Sequence, residues 1–133
     1  MSVSFGGIGD IYATFMADTG LTANTLVKMS DNNEVTACAE GDRFIGICTE
    51  VSADGYATVQ LKGFSEMPYT GSDPVIGALR LVAGSDNEVS VDSGDTVSVT
   101  DTDEAAQTIT TYTGMECLVV SVDTVNNTVG FIM

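Results

Sequence analysis

Histidine and tryptophan are absent from this chain of 133 residues, lysine and arginine together number 4, and proline occurs twice. Each shortage excludes a class of function. Without histidine there is no Ser–His or Cys–His pair to activate a nucleophile. Ser–Lys chemistry would need a desolvated lysine, whereas Lys28 and Lys62 both lie in alternating runs that turn them towards solvent. Zinc would fall to Cys38, Cys48 and Cys117, whose spacing fits no zinc motif. The few cations, Lys28, Lys62, Arg43 and Arg80, are scattered against 19 Asp and Glu, giving a net charge of −15. Affinity for nucleic acid and for anionic lipid is built on Lys and Arg neutralising phosphate, so neither nucleic acid nor membrane is an expected partner. No apolar run approaches the roughly 20 residues that span a bilayer. The opening MSVSFGGIGDIYATF lacks a basic segment followed by an apolar one, so the expectation is a chain made and kept in a reducing cytoplasm, or assembled there into something larger. An odd set of cysteines without a CxxC pair reads as three small buried hydrophobes in strands.

What is present is period-two alternation in short runs, separated by Gly, Asp, Asn and Pro, which is the all-β signature. The runs are IYATFMA (11–17), TLVKMS (25–30), EVTACA (34–39), RFIGICTEV (43–51), the segment after Asp54-Gly55, ALRLVAG (78–84), EVSVD (88–92), TVSVTD (96–101), QTITTY (107–112), CLVVSVD (117–123) and TVGFIM (128–133). Asp54-Gly55 supplies a tight hairpin turn. Ala57, Val59 and Leu61 face one way, with Thr58, Gln60 and Lys62 opposite, and Leu118, Val120 and Val122 are expected to point inward. Pro68 and Pro74 bracket an irregular or edge segment. The expected fold is all-β, a small β-barrel or β-sandwich of roughly nine to ten short strands with no internal repeat. A flexible N-terminal arm covers 1–10 and a single β domain covers 11–133. Within that domain, 85–112 is a polar, Thr-rich hairpin or flap, with a helical turn allowed around 103–107.

The chemical candidates are weak. Asp92, Asp95, Asp101, Asp103 and Glu104 offer hard oxygen ligands, but their spacing is not that of an EF-hand. FGGIGD (5–10) precedes a strand rather than a helix, so it is no phosphate loop. Asn126-Asn127-Thr128 matches a glycosylation sequon but reads as the last hairpin turn. The expectation is therefore a non-enzymatic protein with no catalytic residue, no metal and no cofactor. The candidate contact surface is IYATFMA, where Ile11, Tyr12, Phe15 and Met16 put large apolar groups on both strand faces. Such a strand either lies wholly buried or meets another chain. Phe5 and Ile8 are candidate anchors in the arm.

The segments GDIYATFMAD, VTACAEGDRFIGI, GYATVQLKGFSEMPYTG, DPVIGALRLVAG and CLVVSVDTVNNTVGFIM, in that order, resemble a group of small head decoration or capsid cement proteins of tailed phages and prophages from gut Firmicutes. The resemblance covers roughly 9–82 and 114–133, leaving 85–112 as an insertion or variable loop. It implies a β-barrel or β-clip-like protein, a homo-oligomer with a trimer favoured, bound to the major capsid protein on the exterior of a virion. It carries over no catalytic residue. The alternative is a barrel or sandwich that binds a carbohydrate or another cell-surface ligand, for which the absence of Trp and the dispersed Tyr are unfavourable.

Overall fold

The computed structural model describes residues 3–7, 9–100, 102 and 105–133. The chain is all-β. Its strands are β1 (Ile11–Ala17), β2 (Thr25–Asp31), β3 (Glu34–Ala37), β4 (Gly46–Val51), β5 (Tyr56–Lys62), β6 (Phe64–Thr70), β7 (Gly77–Ala83), β8 (Val89–Val91), β9 (Asp95–Thr100), β10 (Ala106–Thr111), β11 (Met115–Asp123) and β12 (Thr128–Ile132). Among the described residues the only helical piece is a 3-10 turn at Ser85–Asn87. The roughly nine or ten strands expected are thus twelve among the described residues, and the helical turn allowed at 103–107 is not found where residues are described, since Ala106 and Gln107 begin β10.

The strands form two closed five-stranded barrels, β1–β3–β2–β4–β5 and β11–β12–β6–β8–β7, plus a separate β9–β10 ribbon. The two barrels share one winding. Numbered in chain order within each barrel, the ring reads first, third, second, fourth, fifth in both. In each, the first and third strands run parallel, β1 with β3 and β6 with β8. The remaining pairs are antiparallel. The expectation of no internal repeat is corrected: the fold is a topological duplication. A trace survives in sequence, since Ser30-Asp31-Asn32-Asn33-Glu34-Val35-Thr36 and Ser85-Asp86-Asn87-Glu88-Val89-Ser90 occupy the same hairpin of each barrel. Asn33 and Asn87 both adopt positive φ there, and Val35 and Val89 are both fully buried. The ribbon is inserted between the third and fourth strands of the second barrel, where the first barrel has loop 38–45.

Two apolar clusters hold this arrangement. Val27, Val35, Cys48, Ala57 and Val59 fill the first barrel, with Phe15 and Leu61 against them. The larger cluster joins Leu26, Phe44 and Ile47 to Met67, Tyr69, Leu81, Val89, Val119, Val129 and Phe131 of the second barrel. β2 and β4 are therefore buried on both faces at Leu26-Val27 and Ile47-Cys48, and their apolar residues run on rather than alternate. Phe44 lies in loop 38–45 and tilts against Phe131 with ring centroids 6.4 Å apart. That loop is tied to β7 by Gly41 N–H donating to the Ala83 carbonyl at 2.7 Å and Ala83 N–H donating to the Asp42 carbonyl at 2.9 Å.

The barrels join at Gly63, the single residue between β5 and β6, whose φ of +116° is a backbone conformation that glycine adopts without strain. Gln60, on the outer face of β5 as expected, is nevertheless buried at this junction. Its amide donates to the carbonyls of Lys62 and Phe64 and accepts from Ser65 Oγ at 2.9 Å, so the burial leaves no orphaned amide group.

Two further expectations are corrected, and one holds in part. Pro68, Tyr69 and Thr70 lie inside β6 and are not irregular, but Pro68 itself is at an open edge: β8 joins β6 only at Tyr69 and Thr70, so at Pro68 only β12 is paired, and no ladder bond is lost. In β11 the inward residues are Cys117 and Val119, with Leu118 exposed; a register shift between Val119 and Ser121 then returns Val122 to the core. Cys48 and Cys117 are buried strand residues, but Cys38 is half-buried beyond the end of β3. Burial pushes the Cys117 thiol up to about 12 and that of Cys38 up to about 11, the latter helped by Asp42, so none is primed as a thiolate.

Candidate assembly surfaces

β1 pairs with β5 over Tyr12↔Gln60, Ala13↔Val59, Thr14↔Thr58, Phe15↔Ala57 and Met16↔Tyr56. Strand alternation turns Phe15 and Ala17 into the first barrel, where they join its core. Tyr12 and Met16 face outward, and Tyr56 stands beside Met16 on the same face. Their exposures are 52%, 49% and 52%, and Ile11 is also exposed at a register shift. The sequence left open whether this strand is wholly buried or turns one face outward, and the structure turns one face outward. Of the six candidates, Ile11, Tyr12 and Met16 lie on the exposed surface, and Phe15 belongs to the core. Phe5 is half-buried and stacks on Phe64 at 5.4 Å, fastening the arm to the junction of the barrels. Ile8 lies outside the described residues.

The duplication supplies an internal comparison for this surface. The equivalent outer pairs of β6 and β12 are Phe64↔Ile132, Glu66↔Gly130 and Pro68↔Thr128. On that face the large apolar residues, Phe64 and Ile132, are half-buried, Phe64 against the Phe5 ring, whereas Tyr12, Met16 and Tyr56 on the first barrel are exposed.

A second apolar surface lies on the ribbon. Val97 pairs with Ile109 and Val99 with Gln107, so Val97, Val99 and Ile109 share one face, with Thr96, Ser98, Thr100, Thr108 and Thr110 on the other. The sequence analysis identifies the segment as a polar flap but does not single out this apolar face. The signal was the strict Val–Ser–Val and Thr–Ile–Thr alternation.

Asp92 fixes the base of the ribbon. Its carboxylate accepts from Gly94 N–H at 2.9 Å, Thr113 N–H at 3.0 Å and Gly114 N–H at 2.8 Å, holding both ribbon ends together. Burial pushes this carboxyl up, but the three N–H donors and nearby Arg80 outweigh it and hold it below its ordinary value of 3.8. Because the folded group is the stronger acid, its contribution is complete above the ordinary carboxyl range and is lost as pH falls through the lowered folded value. Asp92→Ala is expected to loosen the ribbon by about 1–3 kcal/mol, the cost of stranding partly buried N–H groups. Hydrogen exchange at 94–114 checks this: exchange should quicken there while the barrels stay protected, and strong acid should reproduce the effect in the unaltered chain.

Beside this base an open cleft of ≈ 450 Å³ is lined by Ala78, Leu79, Arg80, Asp92, Tyr112 and Glu116. Its polar groups are engaged internally: Arg80 donates to the Gly114 carbonyl at 3.3 Å and pairs with Glu116 at 3.8 Å. Among the described residues no group of three or more Cys, Asp or Glu is arranged to hold a metal ion. Of the acidic residues weighed as calcium ligands, Asp92 is occupied as above, Asp95 lies in β9, and Asp101, Asp103 and Glu104 lie outside the described residues. Compared with known proteins, the chain matches no family model, no curated protein and no solved structure.

Proposed function

We propose that the chain is a non-enzymatic virion structural protein that decorates a phage capsid from outside, binding across junctions of the major capsid protein as a homo-oligomer. The observation that carries this reading is the outward apolar face of Tyr12, Met16 and Tyr56. It stands on a barrel whose interior is filled by its own side chains, and it is left exposed where the sister barrel's outer Phe64 and Ile132 are half-buried. Uncovered large apolar residues grouped on one sheet face suit contact with another protein. The trimer and the capsid come from the sequence resemblance, and the charge of −15 suits a position away from packaged DNA. Repeated weak contacts on a symmetric lattice add up to firm attachment.

The test is co-sedimentation with undecorated heads. The purified chain should pellet with them, and the combined Tyr12→Ser, Met16→Ser and Tyr56→Ser variant should bind at least about tenfold more weakly, since each buried side chain of this size contributes about 1.5–3 kcal/mol. Equal binding by the variant, or none by the unaltered chain, contradicts the reading.

The carbohydrate alternative would use the cleft at Tyr112, whose exposed ring is the kind of platform sugars stack on. The internal commitment of Arg80 and Asp92 leaves that cleft few free hydrogen-bonding groups, and glycan binding abolished by Tyr112→Ala would favour this alternative.

A further inference from the structure

The duplication turns the contact between the two barrels into a template. Across the first barrel a row of outward residues runs Leu26↔Ile47↔Gln60↔Tyr12 through β2, β4, β5 and β1. The second barrel covers its first three members, and Leu26 and Ile47 keep only 1% and 5% exposure. The matching row of the second barrel is Ala78↔Leu118↔Ile132↔Phe64 through β7, β11, β12 and β6. Phe64 is capped by the Phe5 ring, whereas Leu118 is 48% exposed, and Ala78 and the preceding Val75 and Ile76 are exposed too.

Within the chain the covering element is a hairpin. Asn87, between β7 and β8, reaches the edge of β2 just past the end of β3. Its side chain accepts from Leu26 N–H at 2.9 Å and donates to the Asn24 carbonyl. Loop 38–45 clasps the same hairpin through its two bonds to Ala83. β7 has an edge of the same kind. β8 pairs with it at Leu81, Val82 and Ala83, and a last bond reaches the Arg80 carbonyl, so the backbone at Ala78 opens on the cleft of Arg80 and Tyr112. The ribbon base stands there in the place of loop 38–45.

The element that fits this edge is carried by every copy. Asn33 holds in the first barrel the place that Asn87 holds in the second, and with the same positive φ. Its side chain makes no hydrogen bond to a described residue, and residues 29–33 are exposed throughout. Met29 pairs with Val35 as Ala83 pairs with Val89, yet Met29 is 45% exposed. The acidic flanks Asp31 and Glu34 are no bar, because Asn87 docks with Asp86 and Glu88 on either side of it.

We propose that copies of this chain associate head to tail: the Asn33 hairpin of one copy docks at the β7 edge of the next, over Leu118 and Ile132, repeating the step that joins the two barrels within the chain. Such a contact joins two different surfaces, so it closes into a ring or runs on according to its rotation. The area on offer is modest, which places the association in the weak, concentration-dependent class. The inference deepens the homo-oligomer part of the proposed function and rests on that part alone, not on attachment to a shell.

Sedimentation velocity tests it with two variants whose changes lie on exposed residues. Met29→Ser with Asn33→Gly strips the hairpin, glycine keeping the positive φ; Leu118→Glu spoils the receiving face. The unaltered chain should rise above the protomer mass with concentration up to about 1 mM, so that a dissociation constant of that order is still seen. Each variant alone should stay monomeric. Their equimolar mixture should form a dimer and nothing larger, since one intact hairpin meets one intact edge, and unfolded variants could not restore that contact. An unaltered chain that stays monomeric, an oligomer that survives in either variant, or a mixture that stays monomeric overturns the proposal. A head-to-tail oligomer that ignores heads would support it while removing the capsid reading. Heads that bind a chain monomeric at every concentration would overturn it and leave shell attachment standing.

Discussion

Phe44→Ala is expected to destabilise the whole chain by about 3–5 kcal/mol, the range for deleting a fully buried phenylalanine. The side chain is completely buried although it sits in a loop, and its ring meets Phe131 of the second barrel. The cavity would therefore open in the cluster that fastens one barrel to the other, where the strands on either side are already paired and cannot collapse into it. At roughly 4 °C per kcal/mol for a chain of this size, melting should fall on the order of 15 °C. Calorimetry checks the magnitude. The more telling readout is whether amides of both barrels lose protection together, as a shared core requires; loss confined to one barrel would mean that the larger cluster does not couple them.

The second large effect is expected at Gly46. A Cβ there would stand 2.3 Å from the Gln60 carbonyl oxygen and 2.9 Å from Val59 Cγ1. The first of these is backbone of β5, fixed by pairing with both β4 and β1, so no rotamer change relieves the clash. Gly46→Ala should cost about 3 kcal/mol, the upper end for overpacking, and its denaturant midpoint should shift accordingly. Gly6→Ala is the control: an added Cβ meets nothing nearer than Ser4 Oγ at 3.9 Å, and the change should stay within about 0.5 kcal/mol.

Much of the strand pattern was legible because alternation is local. The run IYATFMA coincides with β1, and the polar stretch after β8 emerges as the ribbon. What escaped depends on partners distant in sequence. β2 and β4 each present one face to their own barrel and the other to the second, so Leu26-Val27 and Ile47-Cys48 do not alternate in burial. In β11 a single register shift reversed the facing of Leu118 and Val119, because one inserted residue flips every side chain before it relative to those after it. Pro68 reads as irregular or an edge because a proline is compatible with a strand only where one neighbour is missing, and that neighbour's extent, which leaves Pro68 at an open edge inside β6, is a tertiary fact.

The duplication was half-visible. SDNNEVT and SDNEVS lie in the open, but ring order is needed to see that they serve the same hairpin. Of the candidate contact surface, the sequence singled out β1 without deciding which side faced out. Tyr56 joined Tyr12 and Met16 only through the register of β5, and Asp92 gained its role at the ribbon base only through the approach of Thr113 and Gly114.

The central claim is that this chain acts through its outer faces by covering the joints of a shell. An electron-microscopy map of heads incubated with the purified chain tests it most directly. The account predicts added density on the exterior over capsid subunit junctions, of a shape matching two fused barrels with the Tyr12–Met16–Tyr56 face turned to the shell. Bare heads at saturating protein, or density that engages the shell through another face, would contradict it.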